Sequence, residues 1–426
     1  MTIDRTIAPA YKAVTEINFP QVKKVILTNG IPVYVLNGGT QEVVKLDIMV
    51  GAGSLYTTKK LVAPLTGLML NEGTTSKTAH QLAEGFDYYG AYFQPNTEKD
   101  QAFVGLVTIS RYFEQTLLLF FEALNESIFP EKELQTLLER RRQKFLVEME
   151  KTSFLAREAF NEKLFGAQHP YGIKTIEAFY HETRRDELLA FYKEHYHAGN
   201  YSLILSGKIT DEVLKLVDQY FGALPKQNKP QAAAQTIIPA LTYEPVVIEK
   251  AGAVQSSIRC GLLTVNKTHR DYIKLKMLTT ILGGYFGSRL MKNIREEKGY
   301  TYGIHGMQVS LQQAGYMAIA ADVKAAFTRE AHHEIIREME KLKSEPVSET
   351  ELQRVRNYMM GEMLQMFDGP FSTAETFKSV VQFGLDFDYY EQMRQAILSV
   401  NAQELMELAN KYYHSNKLTT VVAGKY

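Results

Sequence analysis

Apolar and polar positions alternate at the start of the chain and then change to a helical period. Lys24–Leu27 and Pro32–Leu36 read as short strands on either side of Asn29-Gly30, a pairing that marks a hairpin. Val43–Val50 predicts a third strand. Helical spacing follows over Gln81–Tyr89, over Tyr112–Ile128 and, after Pro130, without a break along Glu131–Phe165. A strand at Ala102–Ser110 lies between the first two helices, and Tyr201–Ser206 closes this part of the chain as another strand.

From Phe221 to Tyr243 the chain is rich in Pro, Gln and Ala and loses its apolar period, which predicts a linker over 223–243. The order then returns. A strand at Val254–Leu263 is followed by helices at Tyr272–Leu282 and Arg289–Glu296, strands at Thr301–Leu311 and Tyr316–Val323, further helices and a last strand at Leu418–Val422. Tyr196-His-Ala-Gly-Asn-Tyr-Ser-Leu-Ile-Leu-Ser-Gly-Lys208 aligns without a gap on Tyr413-His-Ser-Asn-Lys-Leu-Thr-Thr-Val-Val-Ala-Gly-Lys425. Each copy is too long for a solenoid repeat, so the pattern predicts an internal duplication: a domain at 1–222 and a similar one at 244–426. Each is expected to be α+β, an antiparallel-rich sheet with helices packed on one face.

Composition narrows the function. Lys plus Arg equals Asp plus Glu at 48 each, with no long run of either sign, which argues against a nucleic-acid partner. A single cysteine, Cys260, excludes an intrachain disulfide framework and a multi-cysteine zinc site, and its alternating strand context predicts a buried, inert thiol. Met1–Pro9 is polar where a secretory leader needs an apolar run, and Thr116–Leu124 is far shorter than the roughly 20 residues that span a bilayer. The expectation is a soluble, cytoplasmic protein with no membrane span, a periplasmic location being left open.

Several segments carry a resemblance to a known family. They are Leu27-Thr-Asn-Gly-Ile-Pro-Val-Tyr-Val35, Gly51-Ala-Gly-Ser54, Leu68-Met-Leu-Asn-Glu-Gly-Thr74, Gln81-Leu-Ala-Glu84, Gly90-Ala-Tyr-Phe-Gln-Pro-Asn96, His169-Pro-Tyr-Gly172 and Phe191-Tyr-Lys-Glu-His-Tyr196. In the second half they are Leu282-Gly-Gly284, Ser288-Arg-Leu290 and, most specifically, Ile294-Arg-Glu-Glu-Lys-Gly-Tyr-Thr-Tyr302. Together they resemble the insulinase, pitrilysin and mitochondrial processing peptidase family of zinc peptidases over nearly the whole chain.

Active members of that family carry an inverted zinc motif, H-x-x-E-H, just before a segment like Met69–Thr74. Two His four apart on a helix supply zinc ligands, and the Glu between them polarises the metal-bound water. Here Pro64, Leu65, Thr66, Gly67 and Leu68 stand in those places. Pro64 and Leu68 cannot ligate a metal, and Gly67 has no carboxylate. The family's third ligand, a Glu on the long helix downstream, is best matched by Glu148, which without His partners reads as a solvated helix carboxylate.

No substitute site is visible. The ten His never fall at H-x-x-x-H spacing. His195 and His197 read as packing or helix-end residues, His332 and His333 as surface residues, and His80 with Glu84 as a helical neighbour pair. Gly283, Gly284 and Gly287 read as a tight turn between helices, since no strand precedes them as a phosphate-binding loop requires. No G-x-S-x-G elbow is present.

Arg295 and Tyr302 remain. Taken alone they are a charged helix end and a strand aromatic. The resemblance implies more, because the family's second-half domain places an Arg and a Tyr at this spacing opposite another domain's zinc site, where they bind substrate main chain or the reacting carbonyl. A planar guanidinium and an oriented phenol suit developing negative charge. The resemblance therefore implies an inactive subunit that binds peptide and completes the site of a zinc-bearing homologous partner, a heterodimer closing around an extended peptide; self-association is the other possible arrangement. No cofactor is expected in this chain, and zinc is expected in the partner. The alternatives are a structural or scaffolding subunit with no role in cleavage and an autonomous hydrolase with an unrecognised site.

Overall fold

The computed structural model describes residues 6, 14–239 and 241–426; the leader reading at Met1–Pro9 lies, apart from Thr6, outside the described residues. Two sheets form. The first contains β1 (Lys23–Ile26), β2 (Pro32–Asn37), β3 (Val43–Val50), β4 (Tyr92–Thr97), β5 (Ala102–Ile109) and β6 (Tyr201–Gly207), in the order β1-β2-β6-β3-β5-β4. The second contains β7 (Val246–Glu249), β8 (Gln255–Thr264), β9 (Thr301–Ser310), β10 (Gly315–Lys324) and β11 (Thr419–Gly424), in the order β7-β11-β8-β10-β9. With β1 set aside the orders coincide, and so do the directions. β2–β6 and β7–β11 are parallel, and every other pair is antiparallel.

Local chemistry repeats along with topology. His197 and His414 each open a short 3-10 turn, Ala198–Asn200 and Ser415–Lys417, that leads into β6 and β11. The two strands end on Gly207 and Gly424 at φ of 105° and 126°, backbone that an L side chain rarely adopts. Between the halves, residues 223–239 and 241–243 carry neither helix nor strand. This stretch is nonetheless attached: Gln313 donates to the Ala234 carbonyl at 2.9 Å and accepts from the Thr236 amide at 3.2 Å.

Period-two patterning decides how the sheets are covered. Val44, Leu46, Ile48 and Val50 of β3, with Leu203 and Leu205 of β6, face helices of their own half, among them Phe113–Asn125 and Asp211–Phe221. The opposite row, Leu36, Met49 and Ile204, is also apolar and joins the core of the other half. Helix Gly369–Val381 covers it, with the Phe377 ring 4.9 Å from that of Tyr34. The exchange is reciprocal. Helix Thr152–Phe165 of the first half lies on the second sheet, where Ala156, Phe160 and Leu164 pack with Val421 and Ala423. So each sheet carries its own helices on one face, as the patterning predicts, and one borrowed helix on the other.

The borrowed helices explain the first difference from the sequence reading. The continuous helix expected over Glu131–Phe165 is two, Glu131–Met149 and Thr152–Phe165, because Lys151 turns to extended backbone and sends the second segment to the other sheet. Buried apolar residues recur at helical spacing in both segments, Leu134, Leu137 and Leu138 in the first and Ala156, Phe160 and Leu164 in the second, so the pattern does not reveal the break. The second half has the same break between Glu349–Met366 and Gly369–Val381, opened by Gly369 at φ 85°. Two strands escape the pattern. β4 contains Pro95, which an edge strand tolerates because its missing N–H faces away from the ladder. β7 is only four residues long.

A hairpin tip from each half completes the join. Asp100, beside β5, accepts hydrogen bonds from the Tyr171 hydroxyl and, at 2.9 Å, from the Gln312 amide. Next to it the Lys99 amine lies 5.4 to 5.8 Å from the ring centres of Phe165, Tyr171 and Tyr316. Burial, with repulsion from Lys60, lowers the Lys99 pKa to about 8.

Two outcomes are expected. Segments 1–243 and 244–426 made separately should each fail to unfold cooperatively, since each leaves an apolar sheet face bare, and should do so when produced together; circular dichroism melts check this. The second concerns pH. The unfolded chain holds the Lys99 proton to higher pH than the fold does, so stability from this group rises between about pH 8 and the ordinary lysine pKa. Urea unfolding at pH 8 and pH 10 should show wild type gaining on Lys99→Met; parallel profiles would contradict it.

Candidate functional site

The segment that stands in place of the metal motif is a helix, Val62–Met69. Pro64 fits there because the first turn of a helix has no use for its N–H. Leu68 packs partly into the first-half core. Gly67 is tighter: a Cβ at this position would stand 2.5 Å from Thr97 Oγ1 on β4. Strand β4 has therefore closed over the place where a base would project, and Thr97 would have to swing away to admit one.

Glu148, in the last turn of Glu131–Met149, is paired with Lys151 at 2.7 Å, and that contact lowers its pKa. Zinc does not fit these residues: Pro64, Gly67 and Leu68 present no donor, and the one carboxylate is already bound to an ammonium. Among the described residues, no group of three or more His, Cys, Asp or Glu side chains could hold a metal ion, and no helix is long and apolar enough to cross a membrane.

The remaining candidates sort plainly. His80 and Glu84 are an exposed pair at 3.2 Å. His197 Nε2 meets the Glu194 carbonyl at 3.0 Å at a helix end, and His195 is buried against Phe191. His333 stays outside the core, but His332 is corrected: it is 5% exposed, placed between the Tyr426 hydroxyl at 3.0 Å and Thr420 Oγ1 at 3.2 Å. Its helix is charged on one face only, and His332 falls on the face that meets β11. Burial takes it down to about 4, so it stays neutral. Cys260 is fully buried, and burial pushes its thiol up to about 12.

Arg295 and Tyr302 flank a short turn between a helical segment and β9. Helical turns over Thr280–Gly284 and Met291–Glu297 are wound with the wider π spacing, a form often found beside functional residues. Gly283 holds this segment on the sheet: a Cβ there would lie 2.7 Å from the Gly306 amide of β9. The glycine pair thus serves close packing, with Gly287 in the turn that follows. Arg295 stacks over the Phe286 ring at 4.6 Å and makes no hydrogen bond or ion pair with any described residue. Tyr302 is 85% exposed, and its hydroxyl has no hydrogen bond among the described residues.

Tyr302 also lines an open groove of about 450 Å³ on the face of the second sheet, with Arg259, Gly303, His305, Ala320 and Asp322. Sequence reasoning passed over Arg259, His305 and Asp322. The available signal was Ser257 and Arg259 at alternate positions of β8, interleaved with the apolar Ile258 and Cys260.

Known proteins match both halves. The family described as Insulinase (Peptidase family M16) matches residues 33–168, across the degenerate helix, and that described as Peptidase M16 inactive domain matches 183–359, across Arg295 and Tyr302. A Rickettsia bellii protein described as an uncharacterized zinc protease is 23% identical over 409 residues, covering 93% of this chain and 96% of its own. A Helicobacter pylori protein described as the non-peptidase homolog YmxG is 20% identical, covering 88% of this chain and 87% of its own. The crystal structure of a peptidase M16 inactive domain from Pseudomonas fluorescens superposes with a TM-score of 0.86 at 24% identity, over 95% of this chain and 98% of that one, which establishes the shared fold.

The closed helix yields a measurable expectation. Gly→Ala inside a helix ordinarily gains about 1 kcal/mol. Gly67→Ala should lose that gain, or fall below wild type, because of Thr97, and should recover it in a Thr97→Ala background. Denaturant unfolding of the four proteins checks it; an equal effect in both backgrounds would contradict the close contact.

Proposed function

The chain belongs to the insulinase (M16) family as an inactive member, and we propose that it holds peptide substrate and completes the active site of a zinc-bearing homologous partner. The observation that carries this reading is the pair Arg295 and Tyr302: the Tyr302 side chain is exposed, Arg295 is half-buried over the Phe286 ring, and neither is committed to a hydrogen bond among the described residues. A residue kept for packing would bury its ring, and one kept for stability would pair its charge. Tyr302 instead presents its hydroxyl outward on the edge strand β9, and Arg295, in the helical segment before it, keeps its N–H donors unpaired among the described residues.

An extended peptide laid along such an edge gains main-chain hydrogen bonds, and its alternate side chains reach the sheet face. In this reading Tyr302 and Arg295 donate to a peptide carbonyl, and the partner supplies metal, water and base. Preorganised donors of this kind matter because they need no reorganisation when charge develops. Arg295→Ala removes the cation and Tyr302→Phe removes only the hydroxyl, so the two variants separate charge from position.

The same reading includes the internal duplication, with domains at 1–222 and 244–426 joined at 223–243. Its support is the shared strand order and the matching His197 and His414 turns.

Mixed with a zinc-bearing relative from the same source, the chain should give peptide cleavage that neither shows alone. Arg295→Ala or Tyr302→Phe should lower turnover of the mixture by roughly 10²- to 10³-fold, with association measured by sedimentation unchanged. Wild-type cleavage by both variants would replace this reading with that of a scaffolding subunit.

A further inference from the structure

The borrowed helices leave part of each sheet face uncovered, at β5–β4 in the first half and β10–β9 in the second. Both uncovered areas are grooves, of about 310 and 450 Å³. Strand register makes them comparable residue by residue. Asp47 pairs with Gly105, which pairs with Gln94; Arg259 pairs with Ala320, which pairs with His305. A single charged residue therefore stands at the same point of each groove, and its sign is opposite.

Compensation of that charge differs. Asp47 has Lys45 and Lys378 each at 3.3 Å, the second supplied by the borrowed helix, and Glu375 balances the lysines in turn. The Asp47 charge is thus paired twice within the first groove, whose lining also includes Glu98. Arg259 has only Asp322, at 3.7 Å, and two backbone carbonyls, Ile258 at 2.9 Å and Ala321 at 3.5 Å, all reached by Nη1. Its Nε and Nη2 have no partner among the described residues. Asp322 is itself drawn off by the Ser257 hydroxyl. The borrowed helix offers Arg157 here, a second cation near enough to repel it. The side chain is largely buried, at 18% exposed, yet its unpaired N–H groups are not among the buried unpaired atoms and Arg259 lines the open groove, so its free N–H fork is accessible and matches a carboxylate.

We propose that the groove beside β9 binds a carboxylate of the extended peptide through Arg259, with Tyr302 and His305 lining the approach. This rests on the peptide-holding role argued above and adds a specificity-determining residue to it: the substrate class is an acidic peptide. An Asp or Glu side chain and a peptide C terminus present the same group.

The test is fluorescence anisotropy of the full chain with N-acetylated, alanine-rich decapeptides carrying one central Glu, Gln or Lys, each amidated at the C terminus, and the Gln peptide again with a free C terminus. The Glu peptide, or the free-acid peptide if the terminus is the group read, should bind about tenfold tighter than amidated Gln, since hydrogen bonds to charged groups are the stronger class. Arg259→Met should erase that difference and Arg259→Lys restore part of it. Asp322→Asn should widen it, an effect that misfolding cannot mimic, and Arg295→Ala should weaken all peptides alike. Equal binding of all four peptides by wild type, or tighter binding of Lys, would overturn the carboxylate site and leave the peptide-holding role standing. Binding of none of them would overturn both.

Discussion

The exchange of Thr152–Phe165 and Gly369–Val381 is the constraint on which the rest of the molecule depends. Both sheets are apolar on two faces, yet each half has helices of its own for only one. Met49 and Ile204 on one side, and Val421 and Ala423 on the other, would face water if the halves came apart. Burying a Phe such as Phe377 or Phe160 contributes roughly 1.5–3 kcal/mol, and each borrowed helix brings several large apolar side chains besides. What joins the halves is thus a core rather than a polar interface, and their mutual angle is fixed by packing.

Fixed halves give fixed grooves. Because each borrowed helix reaches only part of a sheet face, an open strip remains beside β4 and another beside β9, at matched places in two matched sheets. The two strips differ in what their side chains leave unpaired. Near the first, Gly67 has let Thr97 close over the degenerate helix, and Lys378 has closed the charge of Asp47. Near the second, Arg295, Tyr302 and Arg259 keep donors unengaged.

Strand alternation and helical spacing made most of the mixed helix-and-sheet architecture legible, because both report local patterning. Patterning cannot say which sheet an amphipathic helix will cover. Glu131–Phe165 keeps its apolar spacing through Lys151, so the break and the exchange it permits were invisible. His332 was misplaced for a related reason: its helix is charged overall, and only the position of β11 shows which face turns inward. Arg295 and Tyr302 were singled out only through the family resemblance; residue type and spacing alone read as a charged helix end and a strand aromatic. Arg259 was not singled out, since its meaning lies in what Asp322 and the borrowed helix fail to provide, a property of three separate segments.

The central claim is that Tyr302 faces bound peptide. Replacing it with p-benzoylphenylalanine and irradiating the chain with its zinc-bearing relative and a labelled peptide tests this without relying on turnover. The account expects a cross-link from position 302 to the peptide, suppressed by excess unlabelled peptide, and none from the same probe at Tyr92 on the first-half edge strand. Cross-links from position 302 only to the protein partner, undisturbed by peptide, would contradict it.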